Sequence, residues 1–495
     1  HVSFKVHDMS TIPLFEDLPE PEHSEAQARQ ESPRRVRVLV PNRKQIELRP
    51  SDLESLLPEG HRARIVWGFV LGQDLTALYA DIKAVEGGAG RPAIAPEILY
   101  ALWLYATLEG IGSARRIARL TREHDAYRWI CGGVQVNYHG VADFRSQNEA
   151  ALDGLLSENI AVLMAAGVVK LKSVAQDGMR VRASAGAASF RREEKLKGYP
   201  EVARAHVGAL KREEEDDPGV ADRRGKAARE RAAREREARI AAALLRLPEL
   251  AEIKKRQGKA AEDARASTTD AEATVMKMGD GGFRPAYNIE FGSDTQSRIV
   301  VGVEVVTTGS DMAQMAPMVD QVARRCGTTP ENWLVDGGFP AHDQINAVAD
   351  RTRVIAPVPK PKTPRKSKAE KAEKANENDG SEGGPREPGD PGSAPPAVDP
   401  HRRKPGDSEA TGDWRERMGS EEARALYQER AAVAEYVNAQ ARNRNLILLP
   451  VRGLKKVRAV AILHALAHNL MRMITLSPNL LVTGTNSPRI CPMGA

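Results

Sequence analysis

Five short runs rich in Val and Ile, interleaved with helical segments, limit the folds open to this chain more than any other feature. They are residues 171–177, two runs within 287–308 (YNIEFGSDTQSRIVVGVEVVTT) joined at SDTQSR, the run in NWLVDGGF, and TRVIAPV. Ser310 and Asp311 are expected to cap a helix reaching about Arg325, and PAHDQINAVA reads as a second helix before the last strand. The order β, β, β, α, β, α, β places the chain in the α/β class with a mixed sheet. Between the first and second strands lies an insertion, 191–270, dense in Arg, Glu, Lys and Ala and interrupted by Pro218 and Pro248, which reads as a pair of charged helices.

On either side of these strands the pattern is helical. APEILYALWLYATLEG, SARRIARLTREHDAYRWICGG and DFRSQNEAALDGLLSENIAVLMAAG form a helical domain over 61–168, with starts expected at Ser113 and at Asp143 or Ser146 and stops at Gly110 and Gly132. Residues 1–60 form an extension in which RVRVLVPNRKQIEL, Arg35 to Leu48, alternates like a β-hairpin. From Lys360 to Asp413 the only apolar residue other than Ala is Val398, so 359–413 is expected to be a disordered linker. Order is expected again over 414–480, where EEARALYQERAAVAEYVNAQARNR and KKVRAVAILHALAHNLMRM read as helices, followed by a tail at 481–495.

The bulk numbers exclude several classes. Three cysteines, Cys131, Cys326 and Cys491, are far apart and lack zinc or disulfide spacing, which fits a reducing cytosol. No uninterrupted apolar run approaches a membrane span, the N-terminus lacks a signal-peptide pattern, and no membrane partner is expected. With 495 residues, a net charge of +6 and a pI near 9.1, the chain suits a polyanionic partner without proving one.

Three acids carry the chemical argument. Asp177 closes the first strand in VAQDGMRVRASA, Asp336 closes the fourth in WLVDGGF, and Glu435 lies mid-helix in AAVAEYVNAQAR. Adjacent strand ends bring their side chains into one crevice, where two carboxylates repel unless a cation joins them. Hard oxygen ligands of this kind hold Mg²⁺, and a third acid from a helix across the sheet completes a two-metal site for in-line displacement at phosphorus. An Asp-Gly pair after a strand also suits simple turn chemistry, and the residues by themselves leave both readings open.

Together these blocks resemble the DDE transposases of bacterial insertion sequences, in the branch whose third acid lies on a helix patterned Tyr, Arg, Glu, Lys or Arg. Here that helix carries Tyr427, Arg430, Glu435 and Arg442, while QDGMRVRASA matches the first-acid strand and VDGGF the second. Arg91-Pro92, Ser113 to Arg115 and Phe144-Arg145 match the landmarks of the family's N-terminal helical domain. Arg442 stands where many relatives carry Lys, which keeps the charge and changes the geometry. The resemblance covers roughly 60–360 and 415–475. It implies an RNase H-like mixed-sheet core, made of 169–190, 271–358 and 414–480, with Asp177, Asp336 and Glu435 as catalytic residues and ligands of two Mg²⁺ ions, Mn²⁺ able to substitute.

The activity so implied is DNA transposition: binding of the element's terminal repeats, metal-dependent strand cleavage, and transfer of the freed 3′ end to target DNA by a homodimer in the synaptic complex of a bacterial, cytoplasmic, nucleoid-associated protein. The alternatives are a cleavage-only nuclease of the same fold and a DNA-binding regulator or inactive copy. Glu435, Asn438 and Arg442 share a helix face, which makes Asn438 and Arg442 candidate DNA contacts beside Tyr427 and Arg430. Arg180 and Arg182 alternate past the first acid as candidate phosphate contacts. Arg115, Arg116, Arg119 and Arg122 crowd one helix that suits a DNA groove or a solvated surface, and the first three are carried forward as DNA-binding candidates. His464, His468 and Asn469 tempt a metal reading, yet no Glu lies between the histidines, so a packed core helix is favoured. Asp311, Asp320 and Asp343 read as cap and helix-surface positions.

Overall fold

The computed structural model describes residues 52–80, 82–84, 92–216, 223–256, 258–359 and 399–482. The expected hairpin over 35–48, Arg91, most of the 359–413 tract, Cys491 and nearly all of the tail lie outside the described residues.

Among the described residues seven α-helices precede the sheet: α1 (Arg62–Leu71), α2 (Thr76–Tyr79), α3 (Pro96–Leu108), α4 (Ala114–Glu123), α5 (Asp125–Cys131), α6 (Tyr138–Gln147) and α7 (Glu149–Ala165). The α3 sequence is apolar on every side, and the helix is accordingly buried from Ile98 through Thr107. Trp103 fixes its depth, because the indole Nε1 donates to the Val141 carbonyl at 2.8 Å. The chain leaves α3 through Gly110 at φ 69°, which frees the next N–H, of Ile111, to reach back to the Ala106 carbonyl at 2.7 Å. Ser113 caps α4 as expected, accepting from Arg116 N. Asp143 and Ser146 do not start a helix: both lie inside α6, whose cap is Asn137, and Asn148 stands at the start of α7. An Asn side chain caps as well as Ser or Asp, so sequence alone offered several equivalent starts.

Among the described residues the main sheet has six strands: β1 (Ser173–Arg182), β2 (Thr274–Lys277), β3 (Phe283–Asp294), β4 (Val300–Val306), β5 (Asn332–Leu334) and β6 (Arg353–Ile355). β3 runs antiparallel to β1 over its length, and its other edge pairs with β2 in its first part and with β4 in its second. On the far side β5 is parallel to β1, and β6 is parallel to β5. β1 is longer than expected. It continues past Asp177 to Arg182 because β3 offers a partner all the way to Ala286. The short β2, just past the charged insertion, has four residues and too little alternation to mark a strand in the sequence.

That insertion forms α8 (Glu193–Asp216) and α9 (Arg223–Arg256), which pack on each other. Pro218 lies outside the described residues, and Pro248 does not break α9. Proline inside a helix costs about 3 kcal/mol, and here it follows a buried patch of Ala243 and Leu247 against Leu196, a small core separate from the main one.

Further helices follow and interleave with the last strands: α10 (Met315–Cys326) and α11 (His342–Val348), then α12 (Glu409–Met418), α13 (Glu421–Asn443) and α14 (Leu454–Leu476). Residues 399–413, expected to belong to a disordered linker, are ordered. The reason is ionic: Arg415 and Asp407 form a nearly buried pair at 2.8 Å, and Arg403 pairs with both Asp413 and Glu416. Composition counts apolar burial and misses such a tie. α14 is long and apolar enough to cross a membrane by length and composition, but 72% of its most apolar window is buried in this fold, against α3, α7 and β4. It is the core helix that joins the helical region to the sheet.

Candidate active site

The pairing of β1 with β5 ends at Ala175 opposite Leu334. Asp177 and Asp336 each follow two residues later, so the two acids leave the parallel strands at the same offset. Asp336 also serves its own turn, accepting from Gly338 N at 2.8 Å, so turn chemistry and proximity to Asp177 both hold there.

Facing them is α13. Ser420 caps it by accepting from Ala423 N, and Glu421 and Glu422 complement the N-terminal end of its dipole. Val433, Ala434, Val437, Asn438 and Ala441 make the buried face. Arg430 and Asn438 therefore turn toward the sheet, and they take both oxygens of Asp177: Arg430 Nη2 donates to Oδ1 at 2.9 Å and Asn438 Nδ2 to Oδ2 at 2.8 Å. The same Arg430 nitrogen lies 3.7 Å from Asp336 Oδ2. Burial pushes the Asp177 carboxyl above its ordinary range; Arg430 opposes that shift, and Asp336 and Asp311 add to it.

Glu435 is exposed on α13. At about 100° per residue it stands roughly 140° around the helix from Arg430, and among the described residues it makes no hydrogen bond or ion pair. Asn438, one turn further on, occupies the position beside Asp177 that sequence reading expected for the Glu.

A third carboxylate approaches, that of Asp311, which the sequence pattern places at a helix cap. α10 begins at Met315 with Gln314 as its cap residue, so Asp311 caps nothing with its side chain. Instead its Oδ1 accepts from Asn288 Nδ2 at 2.6 Å. The two glycines after the acids make room for this arrangement. A Cβ at Gly178 would lie 2.8 Å and 2.9 Å from the Asn288 amide and 3.1 Å from Asp311 Oδ1. One at Gly338 would lie 3.0 Å from Asp336 Oδ1 and 3.9 Å from Asp311 Oδ2. Burial raises the Asp311 carboxyl as well, with Asn288 and Arg180 opposing the shift and Asp336 adding to it. The signal in the sequence is Asn288 and Glu290, two polar residues within the apolar run YNIEF, and both are buried on a strand that is buried from Pro285 to Asp294. Glu290 is fully buried, accepts from Gln176 Nε2 at 2.5 Å, and is pushed up to about 8 by burial.

The donor chemistry fits a hard divalent ion: three carboxylates, plus the Asn438 amide oxygen, which is buried and has no partner. Among the described residues no three ligating side chains converge tightly enough to hold an ion as they stand, and Arg430 lies between two of the carboxylates.

The remaining candidates divide. Arg180 spends its guanidinium on the carbonyls of Lys277 (2.8 Å) and Gly309 (2.9 Å). Arg182 and Arg442 are exposed, and Tyr427 packs partly buried against the core. Arg115 lies over the Tyr138 ring at 5.2 Å, Arg116 is exposed, and Arg119 pairs with Glu123 at 3.3 Å. A cleft of about 1070 Å³ opens beside Arg115 and Tyr138, between the helical region, α9 and residues 450–456, away from the acids. Arg145 of the Phe-Arg landmark is structural: buried, 4.0 Å above the Trp103 ring, it donates to the Gly112 carbonyl at 2.9 Å. His464 and His468 are core residues, lowered by burial to about 3 and about 4 and hence neutral. His468 Nε2 meets the Arg298 carbonyl at 2.8 Å.

Comparison with known families comes from two separate parts of the chain. A transposase domain family (DUF772) matches residues 51–147, which span α1 to the end of α6. A transposase DDE domain matches residues 401–474, which include α12, α13 and nearly all of α14. No curated protein and no solved structure matches the chain. The two matches, one over the N-terminal helices and one over the helix that carries Arg430, Glu435 and Asn438, support a DDE transposase of the insertion-sequence type, a protein of DNA transposition.

Proposed function

We propose that this protein binds the ends of an insertion sequence, cuts them at their 3′ sides and joins the freed ends to target DNA, using an RNase H-like core. The observation that carries the proposal is the shared offset of Asp177 and Asp336 past the β1–β5 pairing, opposite a helix that lies within the DDE match. The strand order agrees with such a core: a central β1 with an antiparallel neighbour on one side and two parallel strands on the other.

In this reading Asp177, Asp336 and Glu435 hold the divalent ions, Mg²⁺ or Mn²⁺, which when bound supply an activated oxygen nucleophile and stabilise the leaving oxygen. Glu435 lies one turn before Asn438, the residue that touches Asp177, which supports a position at the rim of the same cleft. Asn438 orients the Asp177 carboxylate, and buried Gln176 and Trp333, bonded to each other at 3.0 Å, stiffen the strands beneath it. The exposed Arg442 and Arg182 are suited to hold DNA phosphates at the rim, and Arg115, Arg116 and Arg119 line a basic helix for the flanking duplex. Cleavage and joining are the same displacement with water or a 3′-OH as the attacking group, so a single site serves both, and a dimer would hold two ends together.

The test is a joining assay: an element-end duplex already carrying its 3′-OH, a supercoiled plasmid target, and Mg²⁺. Covalent end-to-plasmid products are expected. Cleavage of uncut ends without any joining of pre-cut ends would replace this reading with a nuclease.

A further inference from the structure

Arg430 sits where a cation belongs. Its Nη2 is 2.9 Å from Asp177 Oδ1 and 3.7 Å from Asp336 Oδ2, and only 12% of its side chain is exposed. We propose that Arg430 is the internal counter-cation of the metal-free centre: it holds the two carboxylates together, and a divalent ion binds there only as the guanidinium withdraws. This rests on the metal-centre reading above and adds to it a competitor supplied by the chain itself.

Two carboxylates brought this close destabilise the fold unless a positive charge lies between them. The guanidinium provides that charge but is poorly matched to its task. It makes one short bond and one longer contact instead of a two-pronged fork, and its buried Nε has no acceptor. An ion of twice the charge, with shorter bonds to oxygen, is the stronger partner for the same atoms. Asn438 points the same way, since its amide nitrogen is used on Asp177 while its oxygen stays buried without a donor. The withdrawal has a route, because Asp336 is 42% exposed at the side chain and marks the solvent side of the pair. Release of Arg430 would also untie α13, the helix that bears Glu435, from the sheet at this end.

The experiment is a calorimetric Mn²⁺ titration of the full-length protein, without DNA, on wild type, Arg430→Gln, Arg430→Lys and Asp177→Asn, with metal-free melting curves for each. Arg430→Gln is expected to bind Mn²⁺ at least tenfold more tightly than wild type. It should also melt lower when metal-free and gain more from Mn²⁺ than wild type does. Should metal-free Arg430→Gln fail to fold, Arg430→Lys keeps the charge and loses the planar reach, and its affinity should rise severalfold. Equal or weaker Mn²⁺ binding by the folded Arg430 variants, with binding lost in Asp177→Asn, would overturn the counter-cation role while leaving the metal centre standing. No Mn²⁺ binding by any of the four would overturn both.

Discussion

Asn469 grips both main-chain polar groups of Val300, accepting from its N–H at 2.8 Å and donating to its carbonyl at 2.9 Å, so that the core helix α14 is clamped to the first residue of β4. All four atoms are buried, and truncation leaves two backbone groups unpaired at about 1–3 kcal/mol each. Asn469→Ala should therefore lower the unfolding free energy by roughly 2–5 kcal/mol in urea melts. A loss below about 1 kcal/mol would mean that water replaces the clamp.

Gly178 is required by its neighbours. The Asn288 amide that a Cβ would strike is itself buried and tied to Asp311 and Glu290, so it has nowhere to go. Gly178→Ala is expected to cost about 1–3 kcal/mol through overpacking and to cut strand cleavage more than its effect on folding explains. Comparison of melting curves with cleavage rates below the transition checks this, and wild-type rates in the variant would contradict it.

Asp311 should matter to the chemistry, because its side chain meets Asn288 beside the two acids and does not cap α10. Asp311→Asn keeps the shape and the Asn288 bond while removing the third carboxylate, and a fall in cleavage of at least tenfold is expected. Asp343→Asn, on the exposed first turn of α11, should leave the rate unchanged. Equal rates in both variants would return Asp311 to a purely structural role.

The buried acids set a pH dependence. Glu290 has a folded value of about 8 against an ordinary 4.5, so between those pH values the folded protein carries a proton that the unfolded chain has released. Stability must then fall as pH rises through that window, by up to about 1.4 kcal/mol per pH unit for one such group. Asp177, Asp311 and Asp270 are also raised, so they act in the same direction. Metal-free protein should melt higher at pH 5.5 than at pH 8 by this argument, and Glu290→Gln should flatten most of the difference. A rise in melting temperature over the same interval would show that Glu290 is charged in the fold.

Much of this was readable from residue patterns. The five strands, the paired insertion helices and the two Asp-Gly acids all follow from periodicity and local turn signals, and these are short-range properties. What failed was long-range. Whether Asp177 ends a strand depends on how far β3 accompanies β1, and whether Asp311 caps a helix depends on Asn288, 23 residues earlier. Which face of α13 meets the sheet is set by the apolar stripe Val433, Ala434, Val437 and Ala441, and that stripe turns Arg430 and Asn438 to Asp177 with Glu435 exposed one turn before Asn438. The order of residues 399–413 comes from ion pairs, which composition does not see.

In the proposed function Asp177 and Asp336 form the catalytic pair of a metal-dependent DNA-cutting site. The most direct measurement is 3′-end cleavage of a duplex bearing the element's own terminal repeat, in Mg²⁺ and in Mn²⁺, by wild type, Asp177→Asn and Asp336→Asn, with DNA binding followed in parallel. Metal-dependent cutting by wild type, reduced at least a thousandfold (about 4 kcal/mol of barrier) in each variant while binding persists, is the predicted result. Cleavage by Asp177→Asn at the wild-type rate would contradict it.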